Sequence, residues 1–206
     1  MAVNDTRREL GISTRRGFLK TSAVAGAALT GGLNLARAAN AEGKQEIKVA
    51  LIGCGGRGTG AAVNALRANP AVKLTAMADA FADSLQRSLK AVEKHCPDQA
   101  DQIDVPEDRK FVGLDAFKRA IDSGVDLVLL CSPPGFRPAQ FEAAVEAGKH
   151  VFMEKPLATD APGVRRIMAA NQKAKEKKLA VAVGHHLRHE TKHREIVARI
   201  HNGDIG

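Results

Sequence analysis

Short runs of β-branched and aliphatic residues recur along the chain from residue 46 onwards and predict β-strands. Six such runs lie at residues 47–52, 72–78, 110–112, 125–131, 150–153 and 179–183. The run at residues 125–131 has the sequence Val-Asp-Leu-Val-Leu-Leu-Cys and is the most hydrophobic of them. A nearly continuous apolar strand is typical of a parallel sheet that is covered by helices on both faces.

Helical patterns occupy most of the intervals between these strands. Leu85, Leu89 and Val92 follow one another at i, i+4 and i+7 and form one apolar stripe on a helix. Another helix, opened by Asp160, is predicted to bury a face that consists of Val164, Ile167 and Met168. Further helices are predicted at residues 58–69, 114–122, 136–147 and 192–201. This alternation predicts an α/β fold in which residues 46–184 form a doubly wound parallel sheet with right-handed crossovers.

Charge and aromatic content exclude one class of partner. The chain of 206 residues has a net charge of +8, but half of this surplus lies within residues 1–41, which carry six Lys and Arg residues and two acids. The other half is spread thinly over residues 42–206. The chain has no Tyr and no Trp, and its seven Phe residues are scattered, so it offers few stacking platforms for bases. We therefore expect no nucleic-acid partner.

The first 41 residues have the composition of an export signal. The segment Ser-Thr-Arg-Arg-Gly-Phe-Leu-Lys at residues 13–20 resembles the twin-arginine signal of bacteria. Sixteen uncharged residues follow at 21–36, fewer than the ~20 apolar residues that a spanning helix needs, and small residues near 36–41 suit a signal peptidase. We expect a signal peptide at 1–41 read by the twin-arginine export machinery, no stable membrane span, and a periplasmic or otherwise exported protein. The alternative is a basic tail without a targeting role.

The cysteines and histidines do not indicate a metal site. The three cysteines, Cys54, Cys96 and Cys131, are odd in number and far apart, so neither a disulfide framework nor a metal cluster is expected. They are interpreted as small apolar fillers of the core. Four histidines lie between residues 185 and 193, but no acid or cysteine is organised with them. No metal ion is therefore predicted.

A glycine-rich motif follows the first predicted strand and opens the first predicted helix. Residues 53–58, Gly-Cys-Gly-Gly-Arg-Gly, fit G-x-G-x-x-G, and an acid, Asp79, lies 21 residues after Gly58 at the end of the second strand. Gly53 would permit the tight turn, Gly55 would let a pyrophosphate approach the backbone, and Gly58 would let the helix pack on the strand. The predicted cofactor-binding residues of this region are Gly53, Gly55, Gly56, Arg57, Gly58 and Asp79.

The strand-end acid also predicts which dinucleotide binds. A carboxylate at Asp79 can accept hydrogen bonds from the ribose 2′-hydroxyl of NAD and would repel the 2′-phosphate of NADP. We therefore expect NAD as the cofactor, with NADP less favoured. The alternative interpretation of residues 53–58 is a structural turn with an incidental acid after it.

A second candidate lies at the end of the fifth predicted strand, where Glu154, Lys155 and Pro156 follow one another. Ligands of such folds bind at the carboxyl edge of the sheet, where Lys155 would project. A lysine beside a nicotinamide ring can donate a hydrogen bond to a substrate hydroxyl and ease its deprotonation as hydride leaves. Considered alone, a lysine at a strand end is more often a solvated charge.

Three segments taken together resemble the Gfo/Idh/MocA oxidoreductases, the group of glucose–fructose oxidoreductase and inositol dehydrogenase. They are residues 53–58, Ser-Pro-Pro at 132–134, and Ala-Gly-Lys-His-Val-Phe-Met-Glu-Lys-Pro at 147–156. The resemblance runs from about residue 46 to residue 206. It implies a Rossmann NAD(P)-binding domain with Lys155 as the catalytic lysine. It also implies that Ser132, Pro133 and Glu154 line the nicotinamide side of the cofactor, together with Lys155.

The chain departs from this family pattern at one position and matches it at another. Many members place a histidine four residues after the proline of the Ser-Pro pair, but Arg137 stands there, which puts one expected cofactor contact in doubt. After Gly184 the family often has an arginine-rich turn, and Arg188 matches its arginine. His186 and Arg188 are therefore predicted to contact the substrate.

The resemblance also implies a domain organisation and an activity. Residues 185–206 would begin the connection to a C-terminal α/β substrate domain that is missing from this sequence, and the full-length protein would be a homo-oligomer. The predicted activity is NAD-dependent hydride transfer between nicotinamide and a sugar or polyol. Two alternatives stay open: an NAD-using glycoside hydrolase of the same family, and a truncated, non-catalytic dinucleotide-binding module.

Overall fold

The structure, a computed structural model, describes residues 46–204. The predicted signal peptide at residues 1–41 lies outside the described residues. Six strands form one parallel sheet with the order β3-β2-β1-β4-β5-β6. Their bounds are β1 Ile47–Ile52, β2 Val72–Asp79, β3 Lys110–Val112, β4 Leu127–Leu130, β5 His150–Met153 and β6 Val181–Val183. The strand order reverses between β1 and β4, where a doubly wound sheet opens a crevice at its carboxyl edge.

Helices cover both faces of the sheet. Their bounds are α1 Gly56–Ala68, α2 Ala82–His95, α3 Ala116–Asp122, α4 Arg137–Glu146, α5 Ala161–Glu176, α6 His186–His189 and α7 Thr191–His201. Val49 and Leu51 of β1 pack into a core that includes residues of α1 and α2. Ala50 and Ile52 alternate with them and pack into a second core that includes residues of α3, α4 and α5. The predicted doubly wound α/β fold is therefore confirmed.

All the predicted strands and helices are observed, with differences at some boundaries and on one helix face, and the short helix α6 was not predicted. Leu85, Leu89 and Val92 are buried on α2 as expected. The stripe predicted for α5 is wrong, because Val164 and Met168 are 46% and 67% exposed. The buried positions of α5 are instead Gly163, Ile167, Ala170 and Ala174. Since α5 packs against α4, small side chains on this face allow the two helices to approach closely.

The C-terminal helices α6 and α7 differ from the others in having no buried residue. They follow β6 and cover the range in which the start of a connection was predicted. Within residues 46–204, no helix is both long and apolar enough to cross a membrane.

Candidate functional site

The loops at the carboxyl ends of the strands enclose a cleft of about 1030 Å³. Its size is at the upper end of the ~300–1,000 Å³ typical of ligand sites. Most of the predicted site residues line it: Gly53, Gly55, Gly56, Arg57, Asp79, Ser132, Pro133, Glu154, Lys155 and His186. Gly58 lies beneath the turn and is buried. Arg188 lines an adjoining pocket that shares Lys155 and His186 with the cleft.

The glycine-rich turn has the geometry that the motif predicts. Gly53 has a φ of +94°, which favours glycine, and a Cβ there would lie 2.4 Å from the backbone nitrogen of Ser132. A Cβ at Gly58 would lie 1.9 Å from the backbone oxygen of Gly53, so only glycine lets α1 pack this closely on the turn. Around Gly55 and Gly56, in contrast, a Cβ would meet no atom within 4 Å. The turn thus leaves an open cradle at the N-terminus of α1, where an anion is favoured.

Asp79 ends β2 with its carboxylate held by the neighbouring backbone. Its Oδ2 accepts a hydrogen bond of 2.6 Å from the backbone N–H of Cys54 in the glycine-rich turn. Its Oδ1 accepts one of 2.9 Å from the N–H of Phe81. An ionised carboxylate has about four lone-pair sites, so two acceptor sites are left for a ligand. The side chain is therefore oriented before any ligand binds, and it can still accept hydrogen bonds from the hydroxyl groups of a ligand.

Glu154 connects the end of β5 with the glycine-rich turn. Its side chain is only 7% exposed, and Oε1 accepts a hydrogen bond of 2.7 Å from Nε of Arg57. This hydrogen bond raises the pKa of the Arg57 guanidinium. A Cβ at Gly184, after β6, would lie 2.6 Å from the same Oε1. The carboxylate is thus enclosed between two loops, and Arg57, whose side chain is 53% exposed, lines the cleft beside it.

Arg137, which stands where many family members have a histidine, lines the cleft but is almost completely buried. Only 2% of the residue is exposed, and its guanidinium donates hydrogen bonds to the backbone oxygens of Ser132 and Pro156. Burial lowers the pKa of this guanidinium, but arginine keeps its proton in proteins. Arg137 therefore ties the loop after β4 to the loop that carries Lys155.

Lys155 is exposed in the cleft. Among residues 46–204, its ammonium group has neither a hydrogen bond nor an ion pair of 4.0 Å or less. The residues on both sides of it are fixed, because Glu154 is buried and the backbone oxygen of Pro156 accepts from Arg137. The backbone of the lysine is thus fixed by its neighbours, and its ammonium group is available to a ligand.

Sequence reasoning missed three apolar residues of the cleft and one buried amide. Phe81 and Leu114 are 67% and 71% exposed and line the cleft with Asp79, and Phe136 is 50% exposed. The position of Phe81, two residues after the acid that ends β2, could have indicated that its side chain lines the cleft. Gln140 is buried and donates a hydrogen bond of 3.1 Å to Oγ of Ser132, a contact that the sequence does not signal.

The cysteines are free, and two of them lie near the cleft. Burial raises the pKa of the Cys54 thiol and raises that of Cys131 to about 12. Thiols with such raised pKa values stay protonated at neutral pH and are poor nucleophiles. Within residues 46–204, no group of three or more His, Cys, Asp or Glu side chains could hold a metal ion.

Comparisons with known proteins match this description. The family model Gfo/Idh/MocA, described as "Oxidoreductase family, NAD-binding Rossmann fold", matches residues 47–185. The chain is 29% identical over 160 residues to dTDP-3,4-didehydro-2,6-dideoxy-alpha-D-glucose 3-reductase of Actinomadura kijaniata, covering 78% of this chain and 42% of that enzyme. The chain thus spans less than half the length of this relative.

Two solved structures are similar in fold. One is scyllo-inositol dehydrogenase from Lactobacillus casei with bound NAD(H) and scyllo-inositol, with a TM-score of 0.61 and 26% identity over 78% of this chain and 42% of that chain. The other is a 3-ketoreductase from Actinomadura kijaniata in complex with TDP-benzene and NADP, with a TM-score of 0.58 and 29% identity over 78% and 45%. The family therefore binds NAD, and some members bind NADP.

Proposed function

The chain belongs to the Gfo/Idh/MocA oxidoreductase family with its NAD-binding Rossmann fold, and we propose on that premise that it transfers hydride between NAD and a sugar or polyol. One observation carries the proposal: an open glycine cradle, a held strand-end carboxylate and an unengaged lysine face the same cleft. These are a phosphate site, a ribose acceptor and a proton-transfer group. The residues present therefore fit a dinucleotide and a hydroxyl-bearing substrate.

The cofactor would be held from both ends of the cleft. The backbone at Gly55 and Gly56 would bind the pyrophosphate at the N-terminus of α1, where the helix dipole and free N–H groups favour negative charge. Asp79 would accept hydrogen bonds from the ribose hydroxyls. Ser132, Pro133 and Glu154 would line the nicotinamide side. When bound, the nicotinamide supplies a hydride acceptor or donor.

Lys155 would transfer the proton of the substrate hydroxyl during hydride transfer. In oxidation its Nζ would accept the proton of the substrate hydroxyl, and in the reverse reaction it would return that proton to the carbonyl oxygen. His186 and Arg188 lie beside it and would orient the rest of the substrate. Arg137 and the buried Glu154 keep the loop of Lys155 in place, which limits the orientational freedom of the ammonium group.

The proposed function is tested by incubating the complete protein, including the C-terminal substrate domain that the family resemblance implies, with NAD and a panel of sugars and polyols. Accumulation of one NADH per product molecule supports the oxidoreductase. Cleavage of a glycoside without net NADH identifies the hydrolase alternative. Binding of NAD with no turnover of any compound contradicts the proposal and supports a non-catalytic module.

The proposed preference for NAD over NADP predicts a clear effect of Asp79→Ala. NAD affinity should fall about tenfold or more, because hydrogen bonds to a charged group contribute about 1.5–3 kcal/mol each. NADP affinity should change little or rise, because the repulsion of the 2′-phosphate is removed. Titration calorimetry with both dinucleotides measures the two effects. Asp83→Ala is the matched control, since Asp83 is exposed on α2 and pairs with Arg87. Tighter binding of NADP by the unaltered protein would overturn the preference.

We further propose that residues 1–41 direct export through the twin-arginine route, on the strength of the residue pattern at 13–20. Replacing Arg15-Arg16 by Lys-Lys should then leave the protein in the cytoplasm with its N-terminal segment uncleaved. Cell fractionation with N-terminal sequencing measures both outcomes. Arg7-Arg8 is a matched control pair, because no Phe-Leu-Lys follows it, and its replacement should not change export. Unchanged export of the Arg15-Arg16 variant would contradict the proposal.

A further inference from the structure

A pocket of about 460 Å³ adjoins the cleft on the side of Lys155. Its lining consists of Lys155, Gly184, His185, His186, Leu187 and Arg188. Lys155, Gly184 and His186 also line the main cleft, so the two spaces meet at the lysine. A substrate whose reacting hydroxyl lies at Lys155 can therefore extend into this pocket.

The ionisable side chains that line this pocket are all basic. They are one lysine, one arginine and two histidines, and no carboxylate belongs to the lining. Within the described part of the chain, Lys155 and Arg188 have no side-chain hydrogen bond and no ion pair of 4.0 Å or less. The pocket thus presents two cations whose charge no neighbouring acid neutralises by direct contact.

The acids nearest in the chain are engaged elsewhere. Oε1 of Glu190 lies 3.0 Å from Nζ of Lys192, and its Oε2 lies 2.7 Å from Nδ1 of His193 and 4.0 Å from Nε2 of His186. Glu154 is buried and accepts a hydrogen bond from Arg57. Neither carboxylate pairs directly with Lys155 or Arg188, so an anionic ligand would not compete with either of them for these two side chains.

We propose that this pocket binds an anionic group, a carboxylate or a phosphate, carried by the sugar or polyol that reacts at Lys155. The guanidinium of Arg188 matches both groups, because its planar donors bind two oxygens at once. A neutral polyol would leave this charge without a partner and would gain only ordinary hydrogen bonds. The inference rests on the proposed function, since it takes Lys155 as the place where the substrate reacts.

The test compares the binding of three probes to the chain saturated with NAD. Glucuronate carries a carboxylate, glucose 6-phosphate carries a phosphate, and glucose is the uncharged control. Titration calorimetry should show at least one anionic probe binding about tenfold tighter than glucose, because charge-assisted hydrogen bonds are stronger than those between neutral groups. The two anionic probes distinguish a sugar acid from a sugar phosphate. Equal binding of all three probes, or binding of none, overturns the inference.

A pair of variants assigns the effect to the pocket. Arg188→Gln should remove most of the preference for the anion and leave NAD affinity unchanged. Arg194→Gln removes an exposed arginine of α7 that lies outside the pocket and should keep the preference. If NAD does not bind, or if no compound is oxidised, the proposed function fails. If NAD binds and neutral polyols are oxidised while Arg188→Gln behaves like Arg194→Gln, only the anionic pocket is refuted.

Discussion

Replacing Lys155 by alanine should lower the turnover of a sugar or polyol by ~10²–10⁴, the usual contribution of a positioned proton-transfer group. NAD affinity should change far less, because the cradle and the ribose acceptor lie on other loops, at Gly55 and Asp79. The expected loss therefore falls on kcat. Steady-state kinetics of the complete protein, together with a calorimetric NAD titration, separate the two effects.

Two further variants test whether the lysine acts through its proton or only through its charge. Lys155→Arg keeps a positive charge, but a guanidinium does not give up its proton in proteins, so turnover should stay low. Lys175→Ala removes an exposed lysine of α5, away from the cleft, and should have no effect. Full activity of Lys155→Arg would reduce the role of the residue to electrostatics. Full activity of Lys155→Ala would remove it from the mechanism.

The parts of the site that sequence reasoning predicted are those that local backbone geometry imposes. Gly53 and Gly58 had to be glycines because a turn and a helix start meet within six residues, and the motif records that constraint. Asp79 was predictable because it ends a strand next to the glycine-rich turn. Lys155 was predictable because it follows a strand that ends at the same edge of the sheet.

The parts that were missed depend on residues far apart in the chain. Arg57 and Glu154 are 97 positions apart, and the two partners of Arg137 are backbone oxygens of separate loops. No local pattern marks such pairs, because any arginine can donate to any exposed carbonyl. The error on α5 has a similar cause: hydrophobicity favoured Val164 and Met168, but the space against α4 decided which face is buried.

Two glycines of the same turn should differ in how alanine affects the stability of the free protein. In Gly58→Ala the new methyl group would start 1.9 Å from the backbone oxygen of Gly53, and a backbone atom cannot move aside as the end of a side chain can. Overpacking of this kind costs about 1–3 kcal/mol or more, so the midpoint of thermal unfolding should fall by several degrees. The binding of NAD should weaken as well, because the turn itself is displaced.

In Gly55→Ala the stability of the free protein should change little. Gly55 has a φ of −75° and a ψ of −178°, which alanine adopts readily, and its Cβ would meet no atom within 4 Å. Removing a glycine here contributes about 0.4–1 kcal/mol through the unfolded chain, but Gly55 is the N-cap of α1, where alanine is disfavoured by a similar amount, so the two effects roughly offset each other. The same methyl group would stand where the pyrophosphate approaches the backbone, so NAD affinity should fall at least about tenfold, which is 1.4 kcal/mol. Thermal unfolding without NAD and calorimetric titration with NAD measure the pair. Unchanged NAD binding by Gly55→Ala would show that the open cradle is not the phosphate site, and a large loss of stability would show that the space around Gly55 is not open.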